Sequence, residues 1–186
     1  MRPAAFNFTT HPSTSPFTIS SQTYLSSQPS SKYHYIATGA LVFDNSNSMA
    51  PRILLIQRSA SDSMPGRWEI PGGGCDDDDE SILHGVAREL WEEAGLNAIS
   101  IGPLVGNPHL FVSRSGKQIC KFNFMVDAEK SADGTLQVKL DPDEHQRFVW
   151  ASEEEVRTKK VGDVELEFTT GDLEATVLEA FRSEER

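Results

Sequence analysis

The sequence predicts a mixed α/β (α+β) domain built on a mixed β-sheet. Three observations carry this reading: strand-like runs outnumber helical ones and alternate with them irregularly, residues 80–94 have helical periodicity, and a second amphipathic stretch closes the chain. At 186 residues the chain is long enough for one domain with a real core and short for two. Its formal net charge of −11 argues against a nucleic acid polymer as partner, since such surfaces are basic. A small polyphosphate ligand remains compatible, because a bound metal supplies positive charge locally. Cys75 and Cys120 lie far apart without CxxC spacing, which suggests a reducing compartment, expected to be the cytoplasm, and no disulfide framework. Cys75 follows a glycine run and is read as a small filler or a reactive thiol. No run approaches the ~18 apolar residues of a membrane span, so no membrane partner is expected.

Residues 1–33 differ from the rest. They are rich in Ser, Thr and Pro, and Arg2 and Lys32 are their strong bases. They are expected to form a flexible or loosely docked extension, lacking both the arginine content of a transit peptide and the apolar core of a secretory signal. Phe6, Phe8, Phe17 and Tyr24 could bury rings if the segment drapes over the domain, which is expected to span 34–186.

Residues 34–43 and 52–57 read as strands flanking the polar turn Asp44-Asn45-Ser46-Asn47-Ser48. Arg58 opens a loop that either borders a site or is plain surface. A short strand at 68–70 runs into Pro71-Gly72-Gly73-Gly74, where missing side chains let backbone approach a ligand or another strand. No Gly-Lys-Ser/Thr follows, which excludes a P-loop. Over 80–94, Ile82, Leu83, Val86, Ala87, Leu90 and Ala94 fall on one helical stripe, and Gly95 suits a left-handed stop. Asp76 to Asp79 read as solvated charge favourable to the helix N-terminus. Beyond the helix, 99–105, 110–113, 118–126 and 147–151 read as strands, with a hairpin loop at 131–135. Ser152 with Glu155 forms a capping-box pattern for a short helix, and Leu173, Val177, Leu178 and Phe181 mark the closing one.

Glu89, Glu92 and Glu93 are spaced so that their carboxylates gather near the exposed edge of the 80–94 helix. Like charges at i,i+4 cost roughly 0.2–0.5 kcal/mol per pair, and no lysine at that spacing offsets them. The patch is either a solvated acidic face or a set of hard oxygen ligands suited to Mg²⁺ or Mn²⁺.

Gly74, Glu80, Arg88-Glu89-Leu90, Glu92-Glu93 and Gly95-Leu96 together match, at every defined position, the signature box of the Nudix hydrolases, the MutT-like family, which the chain therefore resembles. Trp68-Glu69-Ile70-Pro71-Gly72-Gly73 and Leu54-Leu55-Ile56-Gln57-Arg58 are similar to that family's approach to the box. The resemblance implies an α/β/α sandwich and a metal-dependent pyrophosphohydrolase that cleaves a nucleoside diphosphate linked to another moiety, a nucleoside triphosphate or a nucleotide conjugate. It implies Glu89, Glu92 and Glu93 as ligands of Mg²⁺ or Mn²⁺, Arg88 as the group orienting them, and a more structural Glu80. Gly73, Gly74 and Arg58 are expected to face the substrate phosphates. In Asp141-Pro142-Asp143-Glu144-His145, ahead of the Trp150 strand, Glu144 is expected to join the metal site or act as base, and His145 is a weaker candidate. The general base is thus Glu89, Glu92 or Glu144. Many relatives are dimers, so a homodimer is possible. The alternatives are a non-catalytic Nudix-fold nucleotide-binding or sensing module, and an isoprenyl diphosphate isomerase, whose catalytic cysteine context is not found here.

Overall fold

The computed structural model describes residues 5–46, 50–113 and 115–184. Asn47 and Ser48 of the expected turn lie outside them, as do the last two residues of the expected domain. The elements are β1 (Thr9–Thr10), a 3-10 helix (Pro12–Phe17), α1 (Ser21–Ser26), β2 (Tyr35–Leu41), β3 (Phe43–Asp44), β4 (Arg52–Arg58), β5 (Trp68–Glu69) and α2 (Ile82–Ala94). They continue with β6 (Ala98–Leu104), β7 (His109–Val112), β8 (Gln118–Ala128), β9 (His145–Ala151), α3 (Glu153–Thr158), β10 (Lys160–Val161), β11 (Val164–Glu165) and α4 (Gly171–Glu184).

One sheet runs β1-β6-β8-β2 with β7 also paired to β8; another joins β3, β5 and β9 to β4. β1/β6 and β2/β8 are parallel and the remaining pairs antiparallel, so the first sheet is mixed. Side chains alternate across a strand, and the two faces bury different partners. Ile36, Ala40, Val42, Leu54, Ile56, Phe122 and Phe124 pack with Ile82, Val86 and Leu90 of α2. Leu41, Ile53 and Leu55 pack with Trp68, Ile70 and, from α4, Leu173, Val177 and Phe181. The sheets therefore form the middle layer between α2 and α4, the α/β/α arrangement. No helix among the described residues is long and apolar enough to cross a membrane.

Residues 5–32, expected to be a flexible or loosely docked extension, pack on the domain. β1 adds a parallel strand beside β6, and the Phe17 ring is buried against Phe122 and Phe124 at centroid distances of 4.9 and 5.1 Å. The Ile19 carbonyl accepts from the Ile82 N–H, and Gln22 Nε2 donates to Asp77 at 2.5 Å. Rings and backbone pairing compensate for a composition that reads as linker. The 131–135 loop closes with Ser131 N–H donating to the Thr135 carbonyl, yet no second strand follows it; the β10–β11 hairpin forms much later instead.

Candidate active site

Helix α2 begins at Ile82, two residues later than the 80–94 periodicity suggests. Ser81 is its N-cap, accepting from the His84 N–H, and no acidic residue occupies the first turn. Asp79 is not solvated capping charge: it is buried, accepts from the Asp76 N–H, and receives Arg88 Nε and Nη2 at 2.9 and 3.0 Å. This bidentate pairing suits the planar guanidinium. The same Arg88 donates through Nη1 to Glu89 Oε1 and Glu92 Oε2, both at 2.8 Å, and through Nη2 to the Gly74 carbonyl at 2.7 Å. Its side chain is 4% exposed. The offset to the acidic edge, sought at i±4 from a lysine, therefore comes from an arginine on the helix itself.

The three box glutamates differ in environment, against the expectation of one exposed edge. Glu93 is buried, Glu89 nearly so, and Glu92 is 38% exposed at its side chain. Glu93 Oε2 accepts from the Gly72 N–H at 2.6 Å, tying helix to loop. Burial pushes the Glu89 carboxyl up to about 7, against the pull of Arg88. Burial, with Glu89 nearby, drives Glu93 well above the ordinary carboxylate range. Carboxyls that would bind protons so readily are uncompensated negative charge, and hard oxygen donors of this kind fit a divalent cation.

The glycine loop is shaped by these contacts. Thr38 N–H donates to the Gly73 carbonyl and Cys75 N–H to Ile36, so the loop pairs along β2. A Cβ on Gly73 would sit 2.7–2.8 Å from the Glu89 carboxylate, and one on Gly72, where φ is +153°, would meet the Thr38 carbonyl oxygen at 2.2 Å. Backbone must approach here, and only glycine permits it. Cys75 is mostly enclosed, and burial pushes its thiol up to about 12; it is a filler with little thiolate.

Arg58, expected either to border a site or to lie on plain surface, pairs with two acids. Its Nη1 donates to Glu69 Oε1 at 2.6 Å and its Nη2 to Asp62 Oδ1 at 2.5 Å. Glu69 is buried on β5 and also lies 3.2 Å from His145 Nε2. The 141–145 loop reaches the box helix directly: Asp141 N–H donates to the Glu93 carbonyl, and the His145 N–H to the Asp141 carbonyl. Glu93, Glu144 and His145 each bring a ligand atom to within 4.8 Å of the others. Among the described residues this is the set that meets at such range; Glu89 and Glu92 are gathered by Arg88 instead. Glu80, exposed at the helix entrance, lies 3.5 Å from His84 and away from this cluster.

Sequence reasoning missed Glu69 and Asp79. Glu69 stands beside the buried Trp68 in a strand of two residues, too short to show alternation. Asp79 was hidden in a run of acids that looks uniform, and nine residues separate it from Arg88.

The family model of the NUDIX domain matches residues 33–170. No curated protein matches the chain. Among solved structures, a MutT protein from Methanosarcina mazei Go1 is 28% identical, with a TM-score of 0.58 over 83% of this chain and 97% of that one. An Ap4A hydrolase binary complex from C. elegans is 19% identical, with a TM-score of 0.59 over 81% of this chain and 98% of the other. The NUDIX domain of Shewanella oneidensis NrtR, complexed with ADP ribose, is 19% identical, with a TM-score of 0.56 over 89% and 99%. The last two are similar in fold.

Proposed function

The chain belongs to the NUDIX family and is a Nudix hydrolase, and from that membership we propose that it is a metal-dependent pyrophosphohydrolase acting on a nucleoside triphosphate or a nucleotide conjugate. The observation that carries this reading is the Arg88 hub, which holds two box glutamates and the glycine loop in one rigid arrangement beside the buried Glu93. Every acid of the box is present, which favours turnover over a purely sensing module.

The residues that would hold Mg²⁺ or Mn²⁺ are Glu89, Glu92 and Glu93. When bound, such a cation polarises phosphoryl oxygens and lowers the pKa of a water. The chain's own contribution is positional. Gly73 and Gly74 let the diphosphate approach the backbone, Arg88 keeps the carboxylates from turning to bulk solvent, and Glu93 is fixed by the Gly72 N–H. Glu89, pressed against Gly73 and held by Arg88, is the group we assign to take the proton as water oxygen attacks phosphorus and the anhydride P–O bond breaks. Positioned bases of this kind contribute about 10²–10⁴-fold. Arg58 would act through Glu69 rather than on phosphate. We further assign residues 34–186 to the hydrolase domain, residues 1–33 to its extension, and the cytoplasm as its compartment; a homodimer is compatible with this reading.

A panel of nucleoside triphosphates and nucleotide conjugates with Mg²⁺, read as phosphate against pyrophosphate released, tests the reading. Glu93→Gln keeps an oxygen for the Gly72 N–H and should lose at least ~10³-fold in turnover with an unchanged circular dichroism spectrum. Wild-type rates in that variant would remove the assigned site.

A further inference from the structure

The two guanidiniums at the candidate site are spent on acids of the protein, Arg88 on Asp79, Glu89 and Glu92, and Arg58 on Glu69 and Asp62. Lys121 is not. Among the described residues no carboxylate forms an ion pair with it, although the chain carries a formal net charge of −11. Its place follows from the strand pairings: Gly74 bridges to Ala37 of β2, Ala37 pairs with Lys121 of β8, and Lys121 pairs in turn with His109 of β7. Neighbouring strands lie about 4.8 Å apart, so the Lys121 backbone stands about 10 Å from Gly74 across the sheet. The side chain leans back toward the glycine loop. A Cβ on Gly39 would meet Lys121 Cε at 3.1 Å, and a Cβ on Gly72, whose N–H holds Glu93, would meet Gly39 Cα at 2.7 Å. Burial and Glu89 raise the Glu93 carboxyl while Lys121 pulls it down; burial lowers the His109 imidazole, and Lys121 lowers it further against Asp172. The ammonium is thus felt on both sides. Asn123, next on the same face of β8, is 1% exposed, and neither its amide oxygen nor its amide nitrogen has a partner. Stability alone would favour apolar side chains at both places, which points to a binding role for this stretch of sheet.

We propose that Lys121 is a specificity-determining residue whose ammonium receives a substrate phosphate beyond the anhydride at Glu93, an assignment that rests on the hydrolase reading. A nucleotide with a further phosphate at that position gains a charge-assisted contact that no other described cation is free to give. One whose diphosphate ends in a neutral group gains nothing from it. The lysine therefore selects the length of the phosphate chain, and the box residues act on whichever anhydride that chain presents.

The test compares two probes that cannot be hydrolysed, a methylene-bridged triphosphate and a methylene-bridged diphosphate, titrated calorimetrically into the full chain with Mg²⁺. Wild-type protein should bind the triphosphate analogue about 10-fold or more tightly than the diphosphate, as a contact to a charged group is worth. Lys121→Met should remove that preference, and Lys121→Arg should keep most of it. In wild-type protein labelled with ¹⁵N-lysine, the Lys121 ammonium resonance, identified by its loss in Lys121→Arg, should shift with the triphosphate analogue and not with the diphosphate. In turnover, KM for nucleoside triphosphates should rise about 10-fold in Lys121→Met with kcat changed less than about threefold. Equal losses for both analogues would make Lys121 a mere counter-ion of Glu93 and overturn the proposal, as would an unmoved ammonium resonance or no binding of the triphosphate analogue to wild type. Loss of the preference in Lys121→Met without turnover of any nucleotide would leave the phosphate contact standing and remove the hydrolase reading; turnover with analogue binding unchanged by the substitution would do the reverse.

Discussion

The box helix and the 141–145 stretch meet at the candidate site, and they arrive by opposite routes. On α2 the functional groups are local. Arg88, Glu89, Glu92 and Glu93 are positioned by helical spacing, and one guanidinium gathers two of the acids without help from a distant element. The loop depends on the sheet. Glu144 and His145 approach Glu93 because β9 pairs antiparallel with β4, with His145 opposite Arg58 across a register shift. Arg58 then reaches Glu69, and Glu69 reaches His145. The comparison teaches that the local half is rigid through one hub, whereas the distant half is held by a relay of three side chains from three strands.

Breaking the hub should have the largest effect. Arg88→Ala leaves Asp79 buried without its cation, and losing one partner of a buried pair costs about 3–5 kcal/mol. Thermal melts should fall by roughly 10 °C or more and turnover by at least ~10²-fold, while Arg88→Lys should recover stability only in part, because a point charge cannot reproduce the fork. A melt unchanged by Arg88→Ala would show that the hub does not organise this half. Gly73→Ala is the next sharper probe. Its Cβ would press on Glu89 at 2.7 Å, so turnover should drop about 10- to 100-fold with the melt shifted by only a few degrees. An equal loss of stability would mean that the loop, and not Glu89, has yielded.

The smallest effect concerns proton linkage. The Glu89 carboxyl, ordinarily at 4.5, is raised by burial to about 7, so between these values the folded chain binds more protons than the unfolded one. Its stabilising contribution is therefore complete below about pH 4.5 and is lost as pH rises to about 7. Metal-free protein should melt several degrees lower at pH 7 than this group would allow at pH 5, and Glu89→Gln should flatten that trend. Divalent cation should offset the loss at pH 7. A trend of equal slope in Glu89→Gln would assign it to other groups.

Much of the fold was legible because periodicity reports burial directly. The strands at 35–41, 52–58 and 118–128, the α2 stripe and the Ser152 to Glu155 capping box follow from local pattern. The rings of segment 5–32 hinted at docking, but its place was not legible, since the pocket of Phe17 between Phe122 and Phe124 lies about a hundred residues away. The acids at 76–79 look alike in sequence; only packing separates buried Asp79 from its solvated neighbours.

The sequence by itself determined the box: the order of glycines, arginine and glutamates and the helix that presents them, because helical spacing acts over a few residues. Tertiary structure alone decided which glutamate is buried, that Arg58 pairs with Glu69 and Asp62, and that His145 meets Glu93. Those outcomes depend on strand register and on desolvation, which are properties of the packed chain and leave no local trace.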